Sequence, residues 1–149
     1  MSPISKDIAT KLALATLCEE TNRYEEAEQL YLQVLEGIDK SDRYTIGTLH
    51  INLGTNAEAA GRTDAATSFY CTALEILSDQ QGEGVLQRAY AHRNMAELFW
   101  VSGHKGEALA SCNKAAELFA LYPETPASEH VYTRILQTLI AFDPNDRNR

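Results

Sequence analysis

The chain has 149 residues, 44% hydrophobic and 23% charged, with a formal net charge of −8. This composition fits a folded globular chain rather than a disordered one, and the acidic balance argues against nucleic acid, because phosphate binding needs Lys and Arg to displace counterions. No apolar run approaches the roughly 20 residues that cross a bilayer, so no membrane insertion is expected.

Ala and Leu are abundant and Pro and Gly sparse, which favours helices. The N-terminal "MSPISKD" has no basic stretch leading into an apolar one; no signal peptide is read there, and a cytoplasmic location is expected. Residues 5–39 then read as a helix pair, "KLALATLCEE" (11–20) followed by "NRYEEAEQLYLQVLEGI" (22–38). After the connector "DKSDR" (39–43), residues 43–79 form a second pair, "HINLGTNAEA" (50–59) and "GRTDAATSFYCTALEIL" (61–77). The turn "DQQGEG" (79–84) leads into a third pair over 85–121, "HRNMAELFWV" (92–101) and "GHKGEALASCNKAAELF" (103–119). A last helix is predicted over 125–142, with Thr125 as N-cap and Pro126 in the first turn. Val131, Ile135, Leu139 and Phe142 line one stripe of it, with Leu136 and Ile140 beside them, and this stripe is expected to dock on the third pair. Asp143-Pro144 stops the helix, and residues 143–149 are expected to be a disordered tail.

The three pairs align on one another at offsets of 39 and 42 residues, the signature of stacked supersecondary units. Small residues recur at Ala15, Gly54 and Ala96 in the first helices and at Ala27, Ala66 and Ala108 in the second. Helices approach closely only where side chains are small, so these positions mark the crossing within each pair. Asn22, Gly61 and Gly103 fall between the helices, where the chain needs a left-handed residue. Cys18, Cys71 and Cys112 have no C-x-x-C spacing and lie within apolar helical patterns, so they are read as buried thiols.

This pattern resembles the tetratricopeptide repeat, and the long period, with Asn before Leu-Gly and Met-Ala, resembles the kinesin light chain variety. The matching positions are Leu14-Ala15, Leu53-Gly54 and Met95-Ala96, the turn residues Gly61 and Gly103, Tyr24, Ala27/Ala66/Ala108, Tyr31/Tyr70 and Ala73/Ala115, across about residues 5–121. Departures are Cys112 where an aromatic is usual, Lys105 and Thr63 where Tyr is usual, and no Pro closing the second helices. The resemblance implies an all-α solenoid of three helix pairs plus a C-terminal capping helix, forming one domain over 5–142. It also implies a concave groove lined by first helices. Helical spacing puts Thr48, Asn52 and Thr55 on one face, and Tyr90, Asn94 and Glu97 on another, with Arg93 and Trp100 flanking. An Asn amide both donates and accepts, which suits Asn52 and Asn94 to gripping an extended peptide backbone. The first repeat has Ala13 at that position. The alternative is an Asn on a solvated face or bonded within its own helix. The clamp of Lys, Arg and Asn by which related repeats hold a chaperone's C-terminal carboxylate is missing: Leu12, Tyr90 and Asn94 stand at its basic positions, and only Asn52 matches.

His50 and His92 lack a matching carboxylate or thiolate, so no metal site is assigned. "QQGEGV" lacks the Lys and Ser/Thr of a phosphate loop, and no cofactor is expected. Trp100 fits either an anchor for a partner or packing against the final helix. No catalytic constellation is read. The expected function is non-catalytic binding of a protein or peptide partner in the groove. Two rivals stand beside it. One is a self-assembling scaffold subunit, a homo-oligomer through the first repeat, whose Ile8, Leu12, Ala15 and Leu17 need cover. The other is a sensing module of a larger signalling protein.

Overall fold

A computed structural model describes residues 6–142. Its described residues form seven α-helices and no strand: α1 Lys6–Glu20, α2 Tyr24–Gly37, α3 Arg43–Ala59, α4 Thr63–Ile76, α5 Glu83–Val101, α6 Lys105–Ala120 and α7 Ala127–Ala141. The fold is all-α, with three helix pairs followed by a seventh helix, as the repeat predicts. The expected tail, 143–149, and its Asp143-Pro144 stop lie outside the described residues. The chain divides into two compact units at Ile76/Leu77.

All three pairs are closed by the same turn. Asn22, Gly61 and Gly103 have φ of 62°, 77° and 82°. After each, an amide bonds back five residues: Arg23 to the Cys18 carbonyl at 2.7 Å, Arg62 to Ala57 at 2.8 Å and His104 to Phe99 at 2.8 Å. These are Schellman turns, which satisfy the orphan carbonyls of the first helix while the second begins at once. Asn22 manages the left-handed conformation without being glycine, and its Oδ1 accepts from the Tyr24 hydroxyl at 2.7 Å. The start of α3 is held differently, by the Asp42 carboxylate accepting from the Thr45 amide at 3.2 Å.

In the first unit, Ala15, Ala27, Tyr31, Val34, Leu49 and Leu53 form one core cluster. Ala15, Ala27 and Ala66 are wholly buried, as their crossing role requires. Gly54 has the strictest reason to be small: a Cβ there would lie 2.5 Å from Cε1 of the buried Tyr70 ring. Asn56 is also buried, and its Nδ2 donates to the Tyr24 carbonyl at 2.9 Å, tying α3 to the start of α2. Of the α1 residues expected to lack cover, Ile8 and Leu12 pack half-buried on this unit's own core and Ala15 is buried. The uncovered pair is Leu14 and Leu17, at 46% and 54% exposure. Cys71 is a second correction: it is exposed on α4, while Cys18 and Cys112 are buried, and all three are free thiols.

In the second unit, α5 and α6 close over Val85, Ala89, Ala115, Leu118 and Phe119. A neighbouring cluster joins Ala96, Ala108 and Cys112 to Leu136 and Ile140 of α7. The docking face of α7 is therefore Thr133, Leu136 and Ile140, all buried, and not the expected stripe. Val131, Ile135, Leu139 and Phe142 are each more than half exposed. Thr133 is a poor signal of burial in sequence, but its hydroxyl is satisfied within the helix by the Glu129 carbonyl at 2.8 Å. Thr125 is not the cap of α7: Pro126 occupies that position with no side-chain cap bond, and the Thr125 hydroxyl is buried without a partner.

Candidate functional site

In the first unit, α3 is buried along Gly47, Leu49, Ile51, Leu53, Gly54, Asn56 and Ala57. Thr48, Asn52 and Thr55 fall between those positions and are half-buried. Thr48 and Thr55 spend their hydroxyls on their own helix, donating to the Tyr44 and Asn52 carbonyls at 2.9 Å each. The Asn52 amide has no hydrogen-bond partner among the described residues. It is the one polar group of this face left with both its donor and acceptor capacity. Ala13 on α1, at the equivalent position, is exposed.

The second unit repeats this arrangement on α5, where Tyr90, Asn94 and Glu97 are half-buried. Here too the Asn94 amide has no partner among the described residues, whereas its neighbours are engaged by α7. The Arg93 guanidinium sits among three rings, 5.1 Å from the Tyr90 centroid, 5.7 Å from Phe119 and 5.0 Å from Tyr132. It also pairs with the Glu129 carboxylate. The Tyr132 hydroxyl donates to Glu97, and that bond, more than burial, pushes the phenol up to about 12. Arg93 and Glu97 are thus structural partners of α7 first. Trp100 packs against the cluster of Ala96, Cys112, Leu136 and Ile140, the packing alternative of its two readings.

Sequence reasoning missed the α7 side of this face. "HVYTR" (130–134) continues the series "HINLG" and "HRNMA", placing Tyr132 where Asn52 and Asn94 stand. The same register places Ile135 with Thr55 and Glu97, and Leu139 with Ala59 and Val101. In this register the exposed Tyr132, Ile135 and Leu139 of α7 extend the candidate face of the second unit. The signal was the third histidine. His92 of this series is half-buried, and burial, then Lys114 and Arg88, lower its pKa to about 4. Among the described residues no group of three or more His, Cys, Asp or Glu is placed to hold a metal, and no helix is long and apolar enough to cross a membrane.

Solved structures share this fold. BtubC (BKLC) from P. vanneervenii superposes with a TM-score of 0.77 at 17% identity, over 89% of this chain and 54% of its own. This chain thus spans about half of that protein. The Yersinia enterocolitica type III secretion translocator chaperone SycD superposes with a TM-score of 0.71 at 21% identity, over 93% of this chain and 87% of SycD. SycD in complex with a peptide of the translocator YopD gives 0.69 at 19% identity, over 92% and 94%. No curated protein matches the sequence. The sequence profile of the tetratricopeptide repeat family matches residues 7–79, which takes in both helix pairs of the first unit. Residues 7–79 thus belong to the tetratricopeptide repeat family, and the same turn and the same crossing residues recur in α5 and α6.

Proposed function

We propose that this chain is a non-catalytic protein-interaction module that takes extended segments of partner polypeptides on the open faces of its first helices. The observation that carries the reading is the pair Asn52 and Asn94. Each sits in equivalent register on a helix whose neighbouring positions are buried, and each amide is uncommitted among the described residues. A backbone segment crossing either face finds a donor and an acceptor together. In the second unit Tyr132, Ile135 and Leu139 add apolar contact for side chains of the segment, while Tyr90 and Glu97 border it. SycD, of the same fold, has been seen with a bound peptide, which supports the same use here.

The test is selection of peptides from a random phage-displayed library, followed by binding to the wild type and to the Asn52→Ala/Asn94→Ala double mutant. Each amide hydrogen bond contributes about 0.5–1.5 kcal/mol net, so the double mutant is expected to bind about tenfold more weakly with an unchanged melting temperature. Equal binding by a folded double mutant, or amide shifts confined to α2, α4 and α6, would overturn the reading.

A second reading, assembly of copies into a scaffold, is favoured by the exposed Leu14 and Leu17 on α1. SycD is also described as an alternative dimer. Light scattering of wild type beside Leu14→Glu/Leu17→Glu separates the two: a dimer dissolved by these changes supports assembly.

A further inference from the structure

Asn94 has a charged neighbour that Asn52 lacks. Three residues after Asn52, on the same face of α3, stands Thr55, whose hydroxyl is spent on the Asn52 carbonyl at 2.9 Å. The equivalent residue after Asn94 is Glu97, half-buried beside the uncommitted amide. Its carboxylate accepts one hydrogen bond, from the Tyr132 hydroxyl, which holds it in place. A carboxylate can accept about four, and no Lys, Arg or His among the described residues pairs with this one. Arg93, one turn earlier, is committed to Glu129 and to three rings. Arg134 stands two residues from Tyr132, which puts it roughly 160° round α7. The face around Asn94 thus holds a carboxylate with no counter-charge. It also stays open with α6 and α7 already packed in the unit.

We propose that the segment taken by the face of α5 and α7 is basic as well as apolar, with a Lys or Arg paired to Glu97 and an apolar residue two positions away on Ile135 and Leu139. This specificity rests on the peptide face proposed above and names the class of segment it takes. Side chains of an extended segment alternate in direction, so a residue whose backbone lies at Asn94 is flanked by two side chains on one side. One of these reaches Glu97, and the other reaches Ile135 and Leu139, each more than half exposed. A long basic side chain suits the first place, because its stem can lie along the Tyr132 ring while its head meets the carboxylate. An acidic residue there would face a like charge, and a neutral one would leave Glu97 half-buried without a cation. The face on α3 has no charge at this register, so selection of a cation belongs to the second unit alone. The formal net charge of −8 draws basic segments towards the chain but does not place them.

The test is selection from a random phage-displayed peptide library on the full chain, wild type beside Glu97→Gln, a change that keeps an acceptor for Tyr132 and removes the charge. Wild type should enrich sequences with Lys or Arg two residues from an apolar one. Glu97→Gln should keep the apolar residue and lose the basic one. A synthetic peptide of the wild-type consensus should bind Glu97→Gln about fivefold more weakly at an unchanged melting temperature, and its affinity for wild type should fall more steeply with salt. Glu107→Gln, which removes an exposed charge on α6, should leave binding as it was. Neutral or acidic consensus peptides that still lose affinity on Asn94→Ala would overturn the basic class and leave the peptide face standing. Equal loss on Glu107→Gln would overturn it too, since net charge alone would then account for the attraction. If no selected peptide depends on Asn52 or Asn94, the peptide face itself fails, and this specificity with it.

Discussion

Replacing Gly54 by alanine sets two effects of opposite sign against each other. On helix propensity alone the change stabilises by up to about 1 kcal/mol. The structure predicts the reverse. The new Cβ would lie 2.5, 2.6 and 2.9 Å from Cε1, Cδ1 and Cζ of Tyr70, a wholly buried ring. Overpacking of this kind costs typically 1–3 kcal/mol. Moving the ring also disturbs the Tyr70–Glu58 hydrogen bond, worth about 0.5–1.5 kcal/mol. The net expectation is destabilisation by about 1–3 kcal/mol, read as a lower urea midpoint by circular dichroism at unchanged slope. The first pair carries Ala15 with Tyr31, so the fold accommodates alanine where the helix spacing allows it; the cost at Gly54 belongs to a pair already set at glycine spacing. In a Tyr70→Leu background the same alanine should be neutral or stabilising, a coupling a double-mutant cycle measures directly. A Gly54→Ala protein more stable than wild type would refute the argument.

Leu136→Ala and Ile140→Ala should each cost about 2–5 kcal/mol, while Val131→Ala and Leu139→Ala should stay within about 0.5 kcal/mol of wild type, as thermal melts would show. Asn56→Asp should destabilise strongly at pH 7, because it buries a carboxylate facing the Tyr24 carbonyl, and much of the loss should vanish at pH 4, where the acid is neutral. Asn56→Leu should be tolerated, since Leu98 and Leu136 occupy the equivalent positions. His92 titrates at about 4 in the folded chain against 6.5 ordinarily, so the folded state binds fewer protons over that range. Its contribution is complete above about pH 6.5 and is lost as pH falls towards 4; His92→Gln should flatten urea-midpoint-versus-pH curves in that window.

The turns and the crossings were legible because each obeys a constraint that few residues satisfy. A left-handed residue is Gly or Asn, and a close approach demands Gly or Ala, so Asn22, Gly61, Gly103, Gly54 and the alanines announce themselves. The buried face of α7 was not legible, because apolar spacing cannot tell a stripe that is covered from one that awaits cover. Val131, Ile135 and Leu139 have the right period and the wrong side, while Thr133 looks polar and lies inside. Asn56 escaped for a related reason: its partner is a backbone carbonyl 32 residues away, which no local pattern encodes. At the candidate site the asparagines were visible as a repeat, but the commitment of Arg93 and Glu97 to α7 depends on tertiary geometry.

The Arg93 cage also acts as a mechanical stop. Its guanidinium is held by rings from α5, α6 and α7 and by a carboxylate from α7. Sliding α7 by one helical turn, about 5.4 Å, would strip the cation of Glu129 and Tyr132 together. An apolar interface of Leu136 and Ile140 alone would tolerate such slippage far better, since one greasy contact substitutes for another. The arginine converts a sliding contact into an indexed one, so that whatever α7 presents outward is presented at a fixed height along α5.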